Sequence, residues 1–193
     1  RAAARRASIT WAEYAAAPAA HAGRRVVLRA ADFAHGTLFI EHGGHFVLAE
    51  DVAFAPNAAA DHRPTRAQVA QRAALRLGFF AAVAVAASDV VLDLGGHTLG
   101  AHAHFALQQR FYANVQLGSA PFVDGHGPAD FVDAATAPFV RAQRVAVLNG
   151  TLGRSAHHGV HGTGAPRGVL VEHVRIEHFE VAGVALNGAR DVV

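Results

Sequence analysis

Cysteine, methionine and lysine are absent from this chain. Without cysteine there are no disulfides and no thiolate metal sites, and cysteine usage leaves the redox compartment open. Without lysine, all 17 basic side chains are arginine, yet the formal net charge is only +2. The arginines show only a mild excess toward the N-terminal side. That is not the clustered one-face charge of a nucleic-acid binder, so no nucleic-acid partner is expected. Long apolar runs are missing as well. The stretch from Leu77 to Ala87 is broken by Gly78 and falls short of the ~18 residues of a membrane span. The start, "RAAARRASITWAEY", has no apolar core of a secretory leader. What is present is a 193-residue chain, 52% hydrophobic and 17% charged. That balance excludes a disordered chain and suits one domain with a substantial core.

An internal repeat organises the chain. "RVAVLNGTLGRSAHHGVHGTGA" (144–165) aligns with "GVLVEHVRIEHFEVAGVALNGA" (168–189). Val145 falls on Val169, Val147 on Val171, Leu152 on Ile176, Gly159 on Gly183, Val160 on Val184 and Gly164 on Gly188. A further copy starts at Val192. An earlier one reads "DVVLDLGGHTLG" (89–100), with Val90, Leu92 and Leu99 in the places of Val145, Val147 and Leu152. Each unit reads as short strand, turn, short strand, longer turn, short strand. Glycine and asparagine sit at the turns, where positive φ is cheap, and apolar residues alternate in the strands.

A period near 24 with three short strands predicts an all-β, right-handed parallel β-helix, a single-stranded solenoid whose equivalent side chains form ladders. A leucine-rich repeat would need a helix per unit and different leucine spacing. Residues 1–193 are expected to form one domain. Residues 1–45 would be an N-terminal cap with a helix near Thr10 to His21, and coils would occupy 46–193 and continue past the last residue. The 55-residue gap between Val90 and Val145 predicts one enlarged coil with "FYANVQL" (111–117) as its third strand. Two long insertions, 101–110 and 118–141, would project from it. A loop with a short helix is expected over 55–76.

"VVLDLGGHTL" resembles the strand-turn-strand unit of the pectin-lyase-like superfamily of right-handed parallel β-helix proteins. Four stretches together are similar to an uncharacterised β-helix family of microbial eukaryotes and large DNA viruses. They are "GGHFVLAEDVAFAPN", "LGFFAAVAVAASDVVLDLGGHTL", "ALQQRFYANVQLGSAPFVDGHGPADF" and the segment from "NGTLGRSAHHGVHGTGA" to "VEHVRIEHFEVAGVALNG". The resemblance implies the fold. It carries no settled activity.

The candidate chemistry centres on "GRSAHHGVHGTG" (153–164). Strand alternation predicts that His161 points outward, with His157 on the same face. At ~3.3 Å per residue those two would lie ~13 Å apart, too far to share a metal. No metal ligand and no cofactor is therefore assigned. His158 and His161 would face opposite ways unless a turn intervenes. The ladder places Gln116 beside His161, and Arg154 beside His178 with Glu180 near.

One reading makes His157, His158, His161 and Arg154 catalytic. A histidine would remove the proton α to a uronate carboxylate, and an arginine would steady the charge. Gln108, Gln109, Arg110, Gln116, Asp124, His126, Asp130 and Glu180 would then contact an acidic polysaccharide. The other reading makes the histidines turn residues that satisfy backbone groups.

The function expected is a carbohydrate-binding or carbohydrate-modifying module, with lyase or epimerase chemistry as its enzymatic form. The alternatives are a structural or adhesive tailspike-like protein, with identical copies as its partners, and a metal-handling one. A glycan surface is the expected partner, and a secreted, cell-surface or virion setting is favoured.

Overall fold

The computed structural model describes residues 25–123, 125–128 and 139–193. Thirteen strands run in chain order: β1 (Arg25–Leu28), β2 (Leu38–Ile40), β3 (Gly44–Leu48), β4 (Val52–Phe54), β5 (Ala81–Val85), β6 (Val90–Asp93), β7 (Thr98–Ala101), β8 (Ala113–Leu117), β9 (Gln143–Leu152), β10 (His158–Gly162), β11 (Arg167–Ile176), β12 (Ala182–Leu186) and β13 (Arg190–Val192). Two short helices, α1 (Arg66–Gln71) and α2 (Ala103–Gln108), and three 3-10 turns interleave with them.

The strands form two open sheets, and their pairing is parallel throughout. The larger has eight strands, ordered β1-β3-β6-β9-β11-β13, with β4 and β7 alongside. The smaller has five, ordered β2-β5-β8-β10-β12. This corrects the expected all-β, single-stranded solenoid. The strands divide between two separate open sheets, and short helical segments interrupt the connections along the chain. The cause is physical. A repeat fixes which strands pair and in what register, but it does not fix closure or the conformation of the connections. One connection, 65–72, carries its own helix signal. Thr65 and Gln68 form a reciprocal capping box at the start of α1.

The register itself follows the repeat. Val145 pairs with Val169, Val147 with Val171 and Leu152 with Ile176. Val90 pairs with Val145 and Leu92 with Val147, and Leu99 with Leu152. β8 lies between β5 and β10 as the enlarged unit requires. The proposed cap fares differently. Residues 1–24 lie outside the described residues, so the helix near Thr10 does too. Residues 25–45 supply β1, β2 and the start of β3, which belong to the sheets rather than to a helical cap.

The main core runs between the sheets. Leu92, Leu99, Val147 and Leu152 meet Val83, Val115 and Val160 in one cluster, all 0% exposed. An aromatic group anchors the connections. Phe54 packs edge-on against Phe79 and Phe105 and stacks with Tyr112 at 5.7 Å. Phe105 is the buried foot of α2, so this packing fixes the 101–110 segment. Phe139 fixes one end of the 118–141 segment. It sits where glycine is required, since a Cβ on Gly164 would come within 2.5 Å of its ring.

A ladder of left-handed residues marks where the chain enters the larger sheet. Asp89 (φ 62°), Arg144 (φ 53°), Gly168 (φ 63°) and Asp191 (φ 56°) each stand just before or within paired strands at matching register. Asp89, Gly168 and Asp191 are of the types that enter this region most readily, and Arg144 is held there at the same register.

Candidate functional site

The three histidines of 153–164 converge on one aromatic ring. The Phe111 centroid lies 4.8 Å from His157, 6.0 Å from His158 and 5.0 Å from His161. His157 and His158 meet edge-on at 4.1 Å, and His158 and His161 stack at 4.8 Å with planes 2° apart. His158 and His161 are only 6% and 3% exposed.

Two expectations are corrected here. His161 does not point out to solvent, and His158 and His161 do not part to opposite sides. His158 opens β10 directly after a turn. Ser155 Oγ lies 2.9 Å from the Tyr112 carbonyl oxygen and 2.6 Å from that of His158, and it accepts from the His157 N–H at 3.2 Å. A residue leaving such a turn is not held to strict strand alternation. Its backbone N–H donates to Tyr112 at 3.0 Å, which pins it to the neighbouring strand.

The hydrogen bonds fix the tautomer of His161. Gln116 Nε2 donates to the carbonyls of Leu117 and Ala120, each at 3.2 Å. Its Oε1 is therefore an acceptor, so His161 Nδ1 carries the proton and donates to it at 2.7 Å. The pairing of His161 with Gln116 and with Ala185 is the one the repeat predicts. His161 Nε2 is left with a lone pair. Nδ1 of His157 and of His158 is buried without a hydrogen-bond partner.

Burial keeps these rings neutral. Desolvation, then the neighbouring histidines, pushes His161 down to about 3. Desolvation also lowers His158, with His157 adding to it and a hydrogen bond to the Ala182 backbone opposing it. His157 is lowered by burial and partly held up by the Glu180 carboxylate. Parallel ring planes keep the lone pairs of His158 and His161 from meeting at one point. Among the described residues no three of His, Cys, Asp or Glu are placed to hold a metal ion. A histidine that protonates only near pH 3 is a poor base for an α-proton at neutral pH.

The other candidates separate. Arg154 is exposed, and its neighbour Ser155 bridges to Phe179 as the repeat predicts. Glu180 is exposed and acts on His157 only through its field. Gln108 and Gln109 line a cleft of about 530 Å³ beside Asp61, His62 and Arg63. Arg110 is exposed at the end of that segment. His126 lines a different cleft of about 400 Å³ with Phe122, Arg141, Thr163 and Asn187. Asp124 and Asp130 lie outside the described residues.

This second cleft touches the histidines through aromatic contacts. Phe122 meets Phe111 at 5.5 Å, and Phe111 carries the three imidazoles. The sequence reading passed over Phe111, Phe122, Arg141, Thr163 and Asn187. A usable signal was there, since Phe111, Phe122 and Phe139 punctuate a segment otherwise rich in small and polar residues. Arg141 is exposed and makes no hydrogen bond or ion pair among the described residues. Thr163 Oγ1 donates to the Pro121 carbonyl at 2.8 Å, which leaves its oxygen as an acceptor.

No helix among the described residues is long and apolar enough to cross a membrane. Comparison of the chain with family models, with curated proteins and with solved structures returns no match.

Proposed function

We propose that the protein binds acidic units of a polysaccharide in the 400 Å³ cleft, as a binding module rather than a catalyst. One observation carries this reading. Arg141, exposed and without an ion pair among the described residues, shares the cleft with His126, Thr163, Asn187 and the Phe122 ring, and no acidic side chain is among the described lining. A guanidinium holds a carboxylate through two parallel N–H bonds. Thr163 and Asn187 offer partners for the hydroxyls of a sugar ring. The volume lies in the range of small-molecule pockets. Turnover has weaker support. The histidines are shielded by Phe111, and burial leaves His161 a feeble base.

Titration calorimetry with oligogalacturonate and oligo-alginate, against uncharged glycans of equal length, tests the reading. Binding of an acidic glycan is expected, with Arg141→Ala weakening it about tenfold or more. Ultraviolet absorbance from an unsaturated uronate should not develop. Absence of acidic-glycan binding, or Arg141→Ala binding like the parent, would overturn the proposal.

A further inference from the structure

The histidine cluster and the 400 Å³ cleft share one support, residues 119–122. Gln116 accepts from His161 at 2.7 Å and donates to the Ala120 carbonyl at 3.2 Å. Ser119 and Val140, the residue before Arg141, exchange two hydrogen bonds. The Ser119 N–H donates to the Val140 carbonyl at 3.2 Å, and the Val140 N–H donates to Ser119 Oγ at 3.0 Å. The Pro121 carbonyl accepts from Thr163, and Phe122 rests on Phe111. Phe111 in turn covers the three imidazoles. A shift of Phe111 or of Gln116 is therefore passed to Arg141 and Thr163, two walls of the cleft.

The cluster is built for uncharged rings. Neighbouring imidazoles stand 4.1 and 4.8 Å apart. An imidazolium carries a proton on both nitrogens. Nδ1 of His157 and of His158 is buried and faces no acceptor, so a charged ring there would hold a buried N–H unbonded. The elements packed around the rings offer little compensation. The start of β8 brings Tyr112, whose phenol burial keeps neutral, and the strand itself brings the uncharged Gln116. β12 presents Ala182 and Ala185. Arg154, in the preceding turn, is itself a cation. Glu180, before β12, is the carboxylate that acts on the cluster, and it acts on His157.

We propose that this cluster is an acid-sensitive switch on the cleft: neutral imidazoles hold Phe111, residues 119–122 and Arg141 in the binding arrangement, and proton uptake opens it and weakens an acidic ligand. The inference rests on the acidic-glycan reading of the cleft. Proton uptake opposes the packed arrangement and costs nothing once the rings reach water, so acid favours the open form. Below pH 6.5 each histidine released from burial shifts the balance by up to about tenfold per pH unit. His126 works in the opposite sense, because it lies in the cleft itself and a proton there attracts a carboxylate.

The test measures oligogalacturonate affinity by calorimetry at pH 7.5 and 5.5, where a carboxyl of ordinary acidity stays ionised. The parent is compared with His157→Phe and His158→Phe, which keep a ring against Phe111 and take no proton. His126 is common to all three proteins, so its effect cancels in the comparison. The parent should lose about tenfold more affinity on acidification than either variant. A second arm needs neither ligand nor variant. In the free parent protein, the amide shifts of Ser119, Ala120, Phe122 and Arg141 should follow the titration of the His157 and His158 ring protons. Equal pH dependence in all three proteins, or amides that stay still while the rings titrate, overturns the switch. Absence of glycan binding at pH 7.5 while those amides follow the rings overturns the reading of the cleft instead, and upholds the coupling.

Discussion

Two consecutive repeats carry the same pattern and meet opposite fates. In the first, Val160 is wholly buried and Gly159 lies beneath a packed neighbour. In the second, Val184 is 43% exposed. The difference is position in the stack. β10 has a strand on each side, whereas β12 is the edge of its sheet. The glycines make the contrast sharp. A Cβ on Gly159 would fall 2.5 Å from the Gly183 carbonyl oxygen and 2.5 Å from Ile176. On Gly183 the nearest atom is 3.4 Å away, an ordinary contact. Gly159→Ala is therefore expected to cost about 3 kcal/mol, the upper range of overpacking. Gly183→Ala should stay within about 0.5 kcal/mol of the parent. Urea unfolding of the two variants measures this, and equal losses would show that stack position does not govern the repeat.

The valines extend the same contrast with a smaller effect. Val160→Ala should destabilise by about 2 kcal/mol through a cavity that β8 and β12 cannot close, while Val184→Ala should change little. A comparable loss in both would mean that the edge strand is covered in solution.

Histidine is the other difference between the repeats, since Ala185 replaces His161 at the same register. The folded pKa of His161 is depressed from 6.5 to about 3. The unfolded chain therefore binds a proton below pH 6.5 that the native state refuses. Stability contributed by the neutral ring is intact above 6.5 and is lost progressively as pH falls toward 3. The loss is about 1.4 kcal/mol per pH unit within that window. His157 and His158 are depressed too and act in the same direction. Denaturant melts at pH 7.5 and 5.5 should differ by at least about 1.4 kcal/mol, and His161→Gln should remove about that much of the difference. An unchanged slope in His161→Gln would mean the ring is hydrated in solution.

Much of this was legible in the sequence, and the omissions have causes. Register was readable because the apolar pattern of Val145, Val147 and Leu152 recurs in the next repeat at Val169, Val171 and Ile176, and a slip of one residue would turn every side chain over. The overall architecture was not, because strand pairing says nothing about closure, although the short helix expected within 55–76 is present as α1. Gln116 beside His161 was predicted by ladder counting. The burial of both was not, because the contacts made by Phe111 and Ala120 are not fixed by strand register. The sequence singled out only His126 of the 400 Å³ cleft. Its walls, Phe122 and Arg141, lie in the segment that interrupts the period, and Asn187 belongs to the following repeat. Thr163 and Asn187 hold equivalent places in the two repeats, so the cleft joins repeating positions to Phe122 and Arg141 from the interruption.

The smallest expected effect concerns the left-handed ladder. Arg144 and Gly168 occupy matching positions at φ 53° and 63°. A non-glycine residue there bears roughly 1 kcal/mol of backbone strain that glycine escapes. Arg144 has an offset, since Nε and Nη2 donate to the two carboxylate oxygens of Asp89, each at 2.6 Å. Both side chains are at least 40% exposed, so solvent limits the pair to about 0.5 kcal/mol. Arg144→Gly exchanges strain relief against that pair and against the greater backbone freedom of glycine when unfolded. The net change should lie within about 0.5 kcal/mol of zero. A double-mutant cycle with Asp89→Asn, which tolerates the same backbone, separates the contributions. Its coupling energy should be about 0.5 kcal/mol and should shrink in molar salt. A coupling several times larger, insensitive to salt, would show that this surface pair and not the stack holds Arg144 in its left-handed conformation.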